Sequence, residues 1–150
     1  MSESPKENIS IQLRIKKIEQ VRTDITLPTT PIDPLSLNHT VKMTNLLDTG
    51  QKLVTINISD SIHDKEQQNI YTFIEIKIEF EVIGLELVVK QTAPNNLEVA
   101  DKLILTLNQI SISTLRGVVF SHLKGTPLSE FYMPIFDPRQ FLPIKVEPLK

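Results

Sequence analysis

From Ile9 to Ile15 apolar and polar side chains alternate, Ile9, Ile11, Leu13 and Ile15 on one side, Ser10, Gln12 and Arg14 on the other. A period of two marks a half-buried β-strand. The phase slips at Lys16 and Lys17 before Ile18, which predicts a β-bulge. Apolar positions resume at Val21, Ile25 and Leu27, and then Pro28, Pro31 and Pro34 exclude any regular element. The stretch from Pro28 to His39 therefore reads as a long crossover loop, flanked or lined by Leu27, Ile32, Leu35 and Leu37. Val41 to Leu47 and Leu53 to Ile62 read as a hairpin about the tight turn Asp48-Thr49-Gly50. Beyond the charged loop His63 to Asn69, the longest strand is predicted from Ile70 to about Val89. Along it Ile74, Ile76, Ile78, Phe80 and Val82 alternate with Glu75, Lys77, Glu79 and Glu81, giving one buried face and one wet, mostly acidic face. Gly84 allows a bend inside this strand.

After Pro94 the period lengthens to that of a helix. Asn95 or Asn96 is placed to cap a first helix with Val99, Ala100, Leu103, Ile104 and Leu107 on its apolar side, and Asn108-Gln109 is expected to interrupt it. A second helix is predicted from about Ile110 to Lys124, stopped by Gly125 ahead of Pro127. On it Ile112, Leu115, Val118, Val119, Phe120 and Leu123 cover roughly 200° of arc, about twice what one sheet can cover. Ser113, Thr114, Gly117 and Ser121 on the remaining arc permit close approach of another backbone, so a second subunit is expected against this helix. The Pro-broken stretch Tyr132 to Leu142 has room for a short helix at Asp137 to Leu142. Strands first and helices after predict an α+β fold, a four-stranded antiparallel sheet with two helices packed on one face, in an oligomer.

Composition narrows the function. The chain has 150 residues and no cysteine, which excludes disulfide scaffolds, thiol enzymes and cysteine-based zinc sites. Sixteen basic residues against eighteen acidic ones, with six Phe, two Tyr and no Trp, do not make a nucleic-acid module. The polar start has no apolar leader core and no apolar run nears the ~20 residues of a membrane span. A cytoplasmic protein is expected, a single domain over 9–142 with tails at 1–8 and 143–150, needing no cofactor and no direct membrane insertion.

The chemistry-bearing motifs are thin. Leu46-Leu47-Asp48-Thr49-Gly50 has the apolar-Asp-Thr-Gly form of an aspartic protease loop, a remote alternative that uses Asp48, yet Asp-x-Gly between alternating strands is also what a hairpin turn requires. His39, His63 and His122 are scattered, without a carboxylate at ligand spacing, and read as ordinary surface or helix-end histidines. No metal site or active site is nominated, and an enzyme is not expected.

Three runs of residues carry a family resemblance. Leu13-Arg-Ile-Lys-Lys-Ile18 leads to Asp24-Ile-Thr-Leu-Pro28; Phe73 to Leu87 forms one long alternating strand; and Leu115-Arg116-Gly117 precedes Gly125-Thr126 and Met133-Pro134-Ile135-Phe136. In this order they resemble SecB, the protein-export chaperone family. The resemblance implies a homotetramer, a dimer of dimers, that holds unfolded polypeptides without ATP for export. It places client contacts at Leu27, Ile32, Leu35 and Leu37 in the crossover loop and at Leu105, Ile110 and Ile112 around the helix break. The oligomer interface falls on Leu115, Val118, Val119, Phe120, Gly117 and Ser121, and a contact with the SecA translocase on Glu75, Glu79 and Glu81. An adaptor of the same fold dedicated to one partner, such as an antitoxin or secretion component, is the alternative.

Overall fold

The computed structural model describes residues 11–66, 68–93, 96–141 and 147–148. The tails expected at 1–8 and 143–150 lie outside these, apart from Glu147–Pro148. The alternation of the first half becomes four antiparallel strands, β1 (Gln12–Ile25), β2 (Leu37–Asp48), β3 (Leu53–Asp64) and β4 (Ile70–Ile83). A small hairpin follows, β5 (Val89–Ala93) with β6 (Asn96–Val99), then the helix α1 (Asp101–Leu123) and a short strand β7 (Glu147–Pro148). The main sheet has the order β1-β4-β3-β2-β7. Its neighbours are antiparallel except β7, which pairs parallel with β2.

One face of the sheet is continuous apolar surface. Register sets Ile56 beside Ile78, Ile58 beside Ile76 and Val54 beside Phe80, and all six are buried. Leu103, Ile104, Leu107, Ile112, Leu115, Val119 and Leu123 of α1 close over this face. The bulge expected at Lys16 is present between Ile15 and Lys17, and a second lies between Gln20 and Arg22.

Four expectations need correction. The two predicted helices are one: α1 runs unbroken through Asn108-Gln109. The helix propensity of Asn costs at most about 0.7 kcal/mol, whereas burying a Leu or Ile side chain is worth about 1.5–3 kcal/mol. With Leu107, Ile112 and Leu115 on the same face, packing decides. The fourth strand does not reach Val89 either, because Gly84 at φ 90° turns the chain into a 3-10 turn at Leu85–Leu87. The helix begins later than the predicted cap: Asn96 opens β6, and Asn95 lies outside the described residues. Finally, the second strand starts at Leu37 rather than Val41, which shortens the crossover and carries His39 into the sheet. The stop at Gly125 is as expected, with φ at 80°. The short helix expected at Asp137 to Leu142 is a 3-10 turn, Pro138–Phe141.

Candidate functional site

At one end of the sheet two loops are tied together. The Thr26 amide, at the mouth of the crossover, donates to the Tyr71 carbonyl at 2.7 Å, and the Lys65 amide donates to the Ser36 carbonyl at 3.2 Å. Asp33 caps the 3-10 turn Pro34–Ser36 through the Leu35 amide. Apolar side chains turn outward here: on the crossover Leu27 is 42% exposed and Leu35 78%, and at the start of β4 Ile70 is 59% exposed. Beside them an open groove is lined by Arg22, Asp24, Thr26, Ile70, Tyr71, Thr72 and Phe73, with the Arg22 guanidinium 4.9 Å from the centre of the Phe73 ring.

The β3–β4 loop is held by Asp64, whose carboxylate accepts from the amides of Gln68 and Asn69 and from the Asn69 side chain. Desolvation opposes its charge, but these hydrogen bonds, with His63 nearby, outweigh it and hold the carboxyl below its ordinary 3.8. A carboxyl depressed by folding stabilises the loop above its unfolded pKa and loses that contribution as pH falls through the folded value. An NMR titration of Asp64 is therefore expected to show a midpoint under 3.8, with the Gln68 and Asn69 amides shifting in step; a midpoint at or above 3.8 would contradict the capping role.

The predicted client residues divide. Leu27 and Leu35 are exposed, while Ile32, Leu105 and Ile110 are half-buried, Ile32 and Ile110 packed against the core. Leu37 and Ile112 are core side chains facing the sheet–helix layer, a correction to their expected role. The interface set divides in the same way. Gly117, Phe120 and Ser121 lie exposed on the outer side of α1 and Val118 is half-buried, but Leu115 and Val119 are buried within the chain's own core, a correction to their expected role. A residue that sequence reasoning missed adjoins Phe120: Tyr132 stacks on it at 6.3 Å, and three residues further along the chain Ile135 is 93% exposed. Arg116 holds this segment by donating to the carbonyls of Met133 and Pro134.

The outer sheet face is not an acidic field. Arg14 stands directly across from Glu81, Lys17 from Glu79, Glu19 from Lys77 and Arg22 from Glu75. Opposite charges directly across a strand pair support that register, so each glutamate expected to meet a translocase already faces a cation.

The histidines are not ordinary surface groups. His39 Nδ1 lies 2.9 Å from both carboxylate oxygens of Asp60, with the two side chains 1% and 0% exposed. The ring stacks on Phe131 at 4.5 Å. His63, also buried, places Nδ1 2.7 Å from the Asp64 carbonyl and Nε2 2.6 Å from the Thr40 hydroxyl. A carbonyl only accepts, so Nδ1 donates to Asp64, while Nε2 is hydrogen-bonded to the Thr40 hydroxyl. Only His122 is at a helix end, against Gln20 of β1 at 2.8 Å. The signal was the hairpin register: His39 opposes Ile62, which puts Asp60 on the next same-face position, a diagonal neighbour.

Asp48 sits in the β2–β3 turn and accepts from the Gln51 amide at 3.0 Å. That is turn capping, the role an Asp-x-Gly turn has in a hairpin. Among the described residues no group of three or more His, Cys, Asp or Glu side chains is placed to hold a metal. Helix α1 is long and apolar enough by length and composition to cross a membrane, yet its Leu103, Leu107, Leu115 and Leu123 pack on the sheet.

No protein-family model matches the chain, and no curated protein matches it by sequence. Among solved structures it is similar to the Mycobacterium tuberculosis SecB-like chaperone Rv1957, solved in complex with a ChAD peptide from the HigA1 antitoxin. The TM-score is 0.54 at 17% identity, covering 83% of this chain and 90% of that one. The four-stranded antiparallel sheet with a helix over one face is thus a known architecture, and the chain has the SecB-like fold.

Proposed function

We propose that this protein is an ATP-independent holdase that binds non-native polypeptides in the cytoplasm as a homo-oligomer. The observation that carries the reading is the set of exposed apolar side chains, Leu27 and Leu35 on the crossover and Ile70 at the start of β4, where the crossover is hydrogen-bonded to β4 and to the β3–β4 loop. Fixed loops that keep large apolar groups in water hold a surface ready for the apolar segments an unfolded chain exposes. Binding the unfolded state in preference to the native one withholds it from aggregation by mass action.

Strand β2 continues that surface. Its register with β3 is unbroken from Leu37 opposite Asp64 to Asp48 opposite Leu53. Among the described residues only β7, at Leu46 and Leu47, pairs with its other edge. Strand β1, by contrast, is bulged twice and carries Lys16 and Lys17 at the first bulge, features that discourage edge pairing. An extended client would add to the β2 edge by main-chain hydrogen bonds, with Leu35 at its flank. A second copy would cover the outer side of α1 at Gly117, Phe120 and Ser121, with Tyr132 beside them, in an assembly such as the tetramer that the SecB resemblance implies.

A dedicated adaptor is the second reading, favoured by one observation: the similar chaperone was solved with an antitoxin peptide. Delivery to SecA at Glu75, Glu79 and Glu81 would have to displace the cations of β1 that already face them.

Dilution of chemically denatured, unrelated proteins into buffer with this protein, without ATP, tests the reading by light scattering. Suppression at near-stoichiometric ratios, by an oligomer of measured mass, supports the holdase; a folded oligomer that protects none of them favours the adaptor. Leu27→Ser with Leu35→Ser is expected to weaken suppression several-fold while stability moves by no more than about 0.5 kcal/mol per exposed site. Undiminished suppression by that double variant would remove these loops from the client surface.

A further inference from the structure

Strand β7 pairs parallel with β2, Leu46 against Glu147 and Leu47 against Pro148, at the turn end of the edge just assigned to clients. The pairing is built to be short. Proline has no amide to donate, so Pro148 adds nothing to the ladder at its own nitrogen. In sequence Pro143 stands four residues before Glu147, leaving only Ile144-Lys145-Val146-Glu147 between two prolines. Parallel pairing is also slightly weaker per residue than antiparallel pairing. A strand so limited, yet joined to the same chain, binds weakly but at an effective concentration in the millimolar range.

Building on the holdase reading, we propose that β7 is an intramolecular stand-in for the client, a short strand that guards the β2 edge until a longer extended polypeptide displaces it. The device has two consequences. An unguarded, bulge-free edge pairs with its own kind, and β7 lowers that tendency in the resting protein. It also sets a threshold: a segment making more pairs along Leu37–Asp48 outcompetes β7, while a folded protein with no free strand does not.

Two substitutions in the full chain shift the guard in opposite directions. Glu147→Pro removes the remaining amide of the described pairing; Pro148→Thr restores one. Affinity is read by titrating each chain with a reduced, carboxymethylated polypeptide that stays unfolded, and guard occupancy by amide exchange at Leu46 and Leu47. Glu147→Pro is expected to bind about threefold to tenfold more tightly. That is the factor by which a guard seated in roughly two-thirds to nine-tenths of molecules lowers the competent fraction. Pro148→Thr is expected to bind more weakly than the parent. If the parent binds and neither variant changes affinity, the guard is overturned and the holdase reading stands. If no chain binds the unfolded polypeptide, the holdase reading falls and takes the guard with it.

Discussion

Asp60→Ala is expected to lower the stability of the folded chain by about 3–5 kcal/mol, the cost of removing one member of a buried hydrogen-bonded pair of ionisable groups. The carboxylate is fully buried on the core side of β3, between Val41 and Ile74 in the ladder, and among the described residues its side-chain hydrogen bonds go to His39. With Asp60 gone, His39 Nδ1 loses its acceptor, and Nε2 already has no hydrogen-bond partner among the described residues. The imidazole would then be buried with neither nitrogen paired, at a cost of about 1–3 kcal/mol for each unsatisfied group. Two controls separate this from loss of volume. Asp60→Asn keeps the shape and an oxygen that can accept from Nδ1, and should lose less than Asp60→Ala. The double change His39→Leu with Asp60→Val removes both polar groups and should recover most of the loss, since apolar substitution of a whole buried pair is often neutral or stabilising. Urea unfolding of the parent, the single variants His39→Leu and Asp60→Val, and the double variant measures the coupling. A double variant as unstable as the sum of its parts would show that the pair does not act as a unit.

That pair also shows why part of the fold was legible in the sequence and part was not. Period-two alternation is local, so β1, β3 and β4 could be read directly, as could the bulge at Lys16, where the period slips by one residue. The end of α1 at Gly125 was equally local, because a positive φ favours glycine. The start of β2 was not, since three prolines upstream gave no reason to resume a strand before Val41. Placing His39 in the crossover hid its neighbour across the hairpin, so a histidine buried against a carboxylate read as an ordinary surface group. The same non-locality governs the candidate site. Leu35 and Leu37 are both apolar and two residues apart, yet one is 78% exposed and the other buried. The difference comes from Asp33, which caps the turn at Leu35, and from the ladder that begins at Leu37 opposite Asp64. On α1, which apolar positions face the sheet depends on the docking of the helix, and composition sets no such angle. The outer face was misjudged for a similar reason: its glutamates lie on β4, and the cations that face them lie on β1, some fifty to seventy residues away in sequence.

Asn108→Leu is expected to stabilise the protein by about 1–3 kcal/mol, opposite in sign to most core substitutions. Asn108 lies in the middle of α1, fully buried, and neither its amide nitrogen nor its side-chain oxygen has a hydrogen-bond partner among the described residues. Each buried polar atom left without a partner carries a desolvation cost of about 1–3 kcal/mol. Leucine keeps the branched outline of asparagine, has higher helix propensity by several tenths of a kcal/mol, and meets apolar neighbours one turn either way in Ile104 and Ile112. Removing two unpaired polar atoms outweighs the cost of fitting its larger volume. The expected observation is a urea midpoint moved upward with an unchanged slope, as for a gain in stability without a change in the surface exposed on unfolding. Asn108→Ala should gain less or lose, because it removes the unpaired amide but leaves a cavity. A loss of more than about 1 kcal/mol in Asn108→Leu would mean that the amide is paired in solution. The asparagine would then be a specific contact holding α1 in register on the sheet.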